Sequence, residues 1–471
     1  MRKALFIIIF FSIYTGKAQE IWDLKKCIDF ALENNLQIKQ GQLNKNISEA
    51  NYLRSKAASL PTVNGFVSHN YNFGRTIDPF TNQFANQTVQ SNAFSVSANW
   101  VLFNGFQTIN AIRQNNFNLL ANKYDLEKVK NDIVLAVISA YLNIIYLEEQ
   151  LQIAEQQISL SQKQVDRISL LVNTGSAAKG NLLDMQAQLA NDELQKVTIQ
   201  NQLDIAYLNL MQLMELNSQD KIKVVKPQTV LPVEDILNKT PLSIYQTAIN
   251  NQPDIKAAEL RVKSAYMGLL SARGAYSPRL AISTSFGTGY SGLRKEVIGN
   301  PVLSGFDTIG VTTAMDFVLV PNYTFDTRVT PFNRQLEDNL NRTIALSLTI
   351  PIFNGFQVRT SSSLAKIQKS NAELALESAK RQLEKTIQQA YADAIAAYKK
   401  YLATEKSVNA LTESFSYTEQ RFNVGAVNTL EYNDAKNRLA RAKAELLQSK
   451  FDYAFKVKIL DFYQGNPINL N

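Results

Sequence analysis

The chain has 471 residues, 45% of them hydrophobic and 19% charged, with 18 glycines and 12 prolines; this excludes a disordered or collagen-like chain and leaves room for two or three structural units. The formal charge is +8 and no basic block concentrates it, so a nucleic-acid partner is not expected. A single cysteine, Cys27, and a single histidine, His69, exclude an intrachain disulfide and a Cys/His zinc site, and any Ser-His-Asp triad would have to use His69.

Residues 1–18 read as an export signal. Arg2 and Lys3 precede the apolar run ALFIIIFFSIY, and Gly16 and Ala18 fit a small-residue cleavage site, which places the cut after Ala18. The run is too short for a mature membrane helix, and no cysteine follows it to carry a lipid. The mature chain then begins at Gln19 with a balance of +5.

A first unit, residues 19–214, opens with DLKKCIDFALENN, where Leu24, Cys27, Ile28 and Ala31 recur at helical spacing; a free cysteine there is a packing residue. The helix continues towards Pro61. Two strands are expected at about 62–73 (TVNGFVSHNYNF) and 93–103 (AFSVSANWVLF), each with period-two alternation. His69 falls among aromatics on the apolar parity, as at a membrane interface. After FNGFQ comes a long helix whose stripe is Leu126, Val129, Ile133, Val137, Ala140, Ile144, Leu147 and Leu151, spaced as in a coiled coil. A second row, Val134, Ile138, Tyr141 and Ile145, gives that helix neighbours on two sides. At about 1.5 Å per residue it spans roughly 100 Å if unbroken.

Residues 215–240 hold two prolines, with a third following at Pro241, and a short Val-rich piece, and read as a linker with a small local fold. The second unit, residues 241–464, repeats the first. FNGFQ returns at Phe353–Gln357, and at the same spacing of 250 Ala140-Tyr141 meets Ala390-Tyr391, Gly175 meets Gly425 and Asp184 meets Asp434. Upstream the spacing is 217: ALENNLQIK (Ala31–Lys39) meets AINNQPDIK (Ala248–Lys256), and Pro61 meets Pro278. This is a tandem duplication of a large unit, not a short-period solenoid. Strands are expected at about 279–290 and 343–353, separated by a long outer loop, 291–341, whose length and apolar content fit a cover for a pore mouth. Residues 465–471 form a tail.

The four strands are about ten residues long, apolar on one face and small or polar on the other, which is the pattern of outer-membrane barrel strands. Four strands cannot close a barrel, and an open edge in lipid leaves backbone groups unpaired, so several chains must pool their strands. In FNGFQ the pairs Asn104-Gly105 and Asn354-Gly355 are turn chemistry, both residue types tolerating positive φ, and mark a strand-to-helix joint made twice.

The repeated VLFNGFQ and PIFNGFQ joints, RFNVGAVNTLEYNDAKNRLARAKAEL near the end and its partner LVNTGSAAKGNLLDMQAQLANDEL carry a resemblance over nearly the whole mature chain. The chain resembles the TolC-like outer-membrane efflux protein family, the outer-membrane factors of tripartite efflux or type I secretion systems. The resemblance implies a mainly α fold with a transmembrane β part: a homotrimer whose four strands per chain make one twelve-stranded barrel, whose helices form an α-barrel through the periplasm, and whose linker and chain ends form a belt. It implies no cofactor and no enzyme, but a passive exit duct meeting outer-membrane lipid, a periplasmic adaptor (membrane fusion) protein and an inner-membrane pump. It places periplasmic turns at Gly175 and Gly425, and a pore gate of acids at Glu431 and Asp434, with Asp184 as the first-copy match. Rings of acids would favour cations; taken alone, such acids could equally serve the helix start. Where some members carry a gate-tying basic residue and a tyrosine, this chain has Val427 and Phe422, so Arg421 and Glu419 become the candidates for holding a closed tip. A tunnel for type I protein secretion is the variant reading. A periplasmic coiled-coil scaffold explains the helices but not the strands, and a hydrolase would have to rest on carboxylates alone.

Overall fold

The computed structural model describes residues 20–217, 222–226 and 239–465. The expected signal (1–18), parts of the expected linker and the tail beyond Gly465 lie outside the described residues.

In chain order the elements are β1 (Glu20–Trp22), α1 (Leu24–Asn34), α2 (Leu36–Ala57), β2 (Thr62–Asn72), β3 (Thr76–Ile77), β4 (Phe84–Ala85), β5 (Val89–Phe103), α3 (Gln107–Asn173) and α4 (Lys179–Met214). There follow β6 (Ile222–Val224), α5 (Pro241–Asn251), α6 (Pro253–Gly274), β7 (Arg279–Ser291), β8 (Lys295–Val311), β9 (Phe317–Val329), α7 (Phe332–Asp338), β10 (Asn341–Thr349), α8 (Gln357–Asn423) and α9 (Thr429–Tyr463). The chain is mainly helical, and the duplication is visible in the elements: α3 and α8 both have 67 residues, α2 and α6 both 22, α1 and α5 both 11. Neither α3 nor α8 contains glycine or proline, so nothing in either sequence interrupts the backbone ladder.

The chain divides into two compact units. One comprises the segments up to Glu49, Asn116–Ser264 and from Ser370 onward. Helices α1 and α5 begin where the sequence supplies acceptors. Asp23 accepts from the Lys26 amide at 2.7 Å to start α1, and Thr240 and Ser243 form a capping box ahead of Pro241 to start α5. The expected stripe of α3 is inward: Leu126, Ile133, Val137, Ile144 and Leu147 are buried, joined from the second row by Ile138, Tyr141 and Ile145. They pack with Cys27, Leu210, Met214, Ile222 and Val224. The stripe of α8 does the same, with Leu383, Ile387 and Ala394 buried against Ile244, Ala248, Ile255 and Leu460.

The Val-rich piece of the linker is β6, which pairs in parallel with β1. The buried Tyr141 hydroxyl donates to the Val225 carbonyl at 2.6 Å, with the Trp22 carbonyl 3.3 Å away, so one side chain of α3 holds both strands. Burial pushes the Cys27 thiol up to about 12, followed by the nearby Asp23 carboxylate, so it stays a neutral packing group.

The other unit comprises Ala50–Asn115 and Ala265–Lys369. Its centre is a four-stranded antiparallel sheet ordered β10-β7-β5-β2. The copies therefore meet at β5–β7, and β2 and β10 are the edges. The stretch read as an outer loop holds a second element, the β8–β9 hairpin, followed by α7.

The two joints share a geometry that differs in one detail from the expectation. Positive φ falls on the glycine and the following phenylalanine, at 66° and 62° for Gly105-Phe106 and 61° and 62° for Gly355-Phe356. The asparagine instead opens the helix: Asn104 Nδ2 donates to Thr108 Oγ1 at 2.9 Å, and its carbonyl accepts from the Gln107 amide at 3.3 Å. The flanking rings meet edge to face, 5.4 Å apart for Phe103–Phe106 and 5.6 Å for Phe353–Phe356. Glycine is required at 105 for a second reason: a Cβ there would lie 2.1 Å from the Gly274 carbonyl oxygen.

Candidate functional site

Two places carry the residues singled out by the sequence: the helical turns and the sheet. At each turn a Schellman motif ends the long helix. Gly175 (φ 76°) donates to Val172 at 3.0 Å and Ser176 to Leu171 at 2.8 Å; Gly425 (φ 78°) donates to Phe422 at 3.1 Å and Ala426 to Arg421 at 2.8 Å. Around them Val165, Ile168, Met185, Phe422 and Tyr432 form a small core.

The acids lie beyond this core. Glu431 and Asp434 are exposed in the first turns of α9, where the Asn428 side chain accepts from the Glu431 amide at 2.9 Å. Glu431 lies 4.0 Å from Arg421, and Asp434 pairs with Arg438 at 2.6 Å. Asp184 is exposed on α4. Of the two residues named for holding the tip, Arg421 thus faces Glu431. Glu419 acts on Tyr432, whose hydroxyl is pushed up to about 12 first by burial and then by that carboxylate.

Three contacts here escaped the sequence reading. Phe422 stacks on Tyr432 with ring centres 4.5 Å apart, so an aromatic stack stands where a hydroxyl would bond. Arg167 of α3 donates to the side-chain and main-chain oxygens of Asn423, the latter at 2.7 Å, joining the ends of the two long helices. Farther along α9, Lys436 is buried, donating to Asp192 at 2.7 Å and to Ser161. The signal for Lys436 was present: Thr429, Tyr432, Lys436 and Leu439 follow one another at spacings of three and four, which sets a lysine on the buried stripe. Beside it α3, α4 and α9 enclose a polar cavity of about 430 Å³ lined by Gln150, Gln157, Gln188, Asp192 and Asn437 among others.

The sheet sorts its side chains as the alternation requires. Residues directly opposite one another share a face. Leu346 faces Ile282, Ile282 faces Trp100, Val96 faces Phe286 and Val67 faces Phe94, which makes one face apolar. Ala345 with Ser283, Ser97 with Ser285, Asn64 with Ser97 and Ser68 with Ala93 make the other small and polar, apart from Phe66, Val89 and Val101. His69 lies on the apolar side, bonded to Asn92 and edge-on to Tyr71 at 4.8 Å.

The outer membrane efflux protein family model matches residues 27–215 and again 244–462. The chain belongs to the outer membrane efflux protein family. It is an outer membrane protein of efflux. Among relatives of this efflux protein, the outer membrane efflux protein BepC of Brucella suis biovar 1 is 20% identical over 94% of this chain and 85% of its own length. Outer membrane protein OprJ of Pseudomonas aeruginosa is 25% identical over 88% of this chain and 78% of its own. The fold matches the crystal structure of the outer membrane protein VceC of Vibrio cholerae with a TM-score of 0.75 at 14% identity, covering 95% of this chain and 97% of that one.

Proposed function

We propose that three copies of this chain, each contributing repeats at 19–214 and 241–464 joined by 215–240, form one passive exit duct. Their twelve strands close a barrel in the outer membrane, and their helices form a periplasmic tunnel that meets an adaptor and an inner-membrane pump. The observation that carries this reading is the open sheet. Both edge strands, β2 and β10, lack an outer partner among the described residues, and the sheet's apolar face bears exposed Ile344, Leu346, Leu348 and Val67. Such an edge is excluded from lipid unless another chain pairs with it.

The duplication supplies the missing pairing. The two copies meet at β5–β7, where Ser97 faces Ser285 and Val96 faces Phe286. Moving β5 forward by 250 and β7 back by 217 sets Ser347 opposite Ser68, and Leu346 opposite His69, of a second copy. The same shift brings Gly355, which has no neighbour within 4 Å in the single chain, against Ala57 of that copy, as Gly105 lies against Gly274.

The pore gate in this reading is the helical tip. Glu431 and Asp434, with Asp184 as a third level, become rings of three carboxylates that select cations. Arg421, Arg438, the Arg167–Asn423 tie and the Phe422–Tyr432 stack hold the tip. Tripartite efflux accounts for the chain better than type I secretion because BepC and the toluene efflux pump outer membrane protein TtgI of Pseudomonas putida both bear efflux in their names.

Two measurements test it. Ser347→Cys/Ser68→Cys should give covalent ladders up to three chains on oxidation, and Ser347→Cys/Asn64→Cys, four residues out of register, should not; the reverse result overturns the closure. In planar bilayers wild type should carry a small cation-preferring current, with that preference reduced several-fold in Glu431→Gln/Asp434→Asn. An unchanged preference removes the acids from the gate.

A further inference from the structure

The stretch between β7 and β10 is built to present a surface. Its base is fixed. Buried Gln335 accepts from the Ser291 amide at 2.9 Å and donates to the Ser291 and Thr330 carbonyls at 3.0 and 2.8 Å. Buried Asp78 accepts from the Ser291 hydroxyl and from the Phe80 and Thr81 amides at 2.8 and 3.1 Å. Arg294 reaches Asp338 at 2.9 Å and Asn339 at 2.6 Å. The β8–β9 hairpin therefore leaves a locked root rather than a slack loop.

Above that root the hairpin is two-faced. Phe317, Leu319, Tyr323 and Phe325 alternate along one face of β9, and the pairing puts Leu303 opposite Tyr323 and Phe306 opposite Pro321 on that same face. These six side chains are 45–70% exposed, and all thirteen residues of β9 are exposed. The opposite face mixes Val302, Val318 and Val320 with charge and amide: Glu296 accepts from Arg328 at 2.7 Å, Asp307 accepts from Asn322 at 2.9 Å, and Asp326 adds a carboxylate. A lone two-stranded ribbon is marginal in water, and an apolar face of this extent marks a binding surface.

We propose that this apolar face docks on the same face of the hairpin in the neighbouring copies, so that three hairpins meet around the axis and close the outer mouth of the duct. The inference rests on the trimeric barrel proposed above. That barrel sets every hairpin on one rim, because β8–β9 connects β7 to β10 within each chain, and it supplies the partner at equal stoichiometry. Charge argues for a second copy over an anionic lipid surface. Residues 295–329 carry Glu296, Asp307, Asp316 and Asp326 against Lys295 and Arg328, a net −2 that such a surface repels. Three of those acids lie on the far face, where they stay hydrated when the apolar faces meet.

The test uses the full chain, whose only cysteine, Cys27, is buried. With trimer mass verified, oxidation should link Leu319→Cys into covalent pairs at least tenfold faster than Asp326→Cys. Replacing 295–329 by a short Gly-Ser link should raise single-channel conductance several-fold. Equal cross-linking from both faces, or none from a verified trimer, overturns the docking while leaving the barrel intact. So does a Leu319→Cys thiol that reacts only with a membrane-soluble maleimide, which would assign the face to lipid. Unchanged conductance in the hairpin replacement overturns the closure. Absence of a trimer in the parent chain overturns the barrel reading and this inference with it.

Discussion

The two helical turns have one backbone and two chemistries. The glycine φ values differ by two degrees, and the Schellman bonds are the same. Past the glycine the copies part. Asn428 caps α9 with its side chain, whereas Ala178 starts α4 with no side-chain cap. Lys436 is buried where the first copy has Gln186, and its partners Ser161 and Asp192 correspond to Leu411 and Ala442. The joints diverge likewise: Gly105 is pressed against Gly274 and Gly355 stands in open space. Duplication thus preserved what sets the path of the chain, while contacts between elements of different copies became individual.

The largest expected effect separates the joints. Gly105→Ala sets a Cβ 2.1 Å from a backbone oxygen at φ 66°, and backbone must move to admit it. Loss of folded protein is expected, a cost above about 4 kcal/mol, in the tail of single-substitution effects. Gly355→Ala meets only the strain of φ 61°, about 1–2 kcal/mol. Its monomer should fold and its assembly should fail, if Ala57 of a second copy lies there. Denaturant melts of the chain and the yield of sedimenting trimer read the two separately, and a Gly355→Ala protein that assembles normally would break the pseudo-symmetric closure.

Next comes the buried ion pair. Lys436→Met strands the Asp192 carboxylate and should cost about 3–5 kcal/mol in a urea melt. Lys436→Met/Asp192→Leu should recover most of that, because the desolvated pair gives little net gain over apolar packing. Gln186→Met at the first-copy position should be near neutral. A single and a double variant of equal stability would show that Asp192 is hydrated without its lysine.

Legibility followed the same division. The strands, the stripe of α3, the joints and the glycine turns were readable because each is a local periodicity or a single conformational demand, and the repeat reinforced it. Lys436 with Asp192 and Ser161, and Arg167 with Asn423, were not, because their partners lie on other helices far along the chain and no repeat marks them. The hairpin was missed for a different reason. Bulges near Gly299, Ser304 and Ile309 break the period of β8, so its alternation with β9 emerges only once the pairing is known.

The smallest effect is the most direct exchange between the copies. Asn428 and Ala178 both have extended backbones, at φ −86° and −71°, so either position can hold a capping side chain. Asn428→Ala removes the acceptor of the Glu431 amide and should cost about 1 kcal/mol. Ala178→Asn offers a side-chain acceptor to the corresponding Asn181 amide, which already donates to the Ala178 carbonyl at 3.1 Å, and should gain less than that. Amide hydrogen exchange at the two turns resolves them: protection should fall at Glu431 in the first variant and rise at Asn181 in the second, with the long helices unchanged. If Ala178→Asn leaves Asn181 as it was, the first turn is held open by something other than its missing cap, and the two tips differ in backbone freedom as well as in side chains.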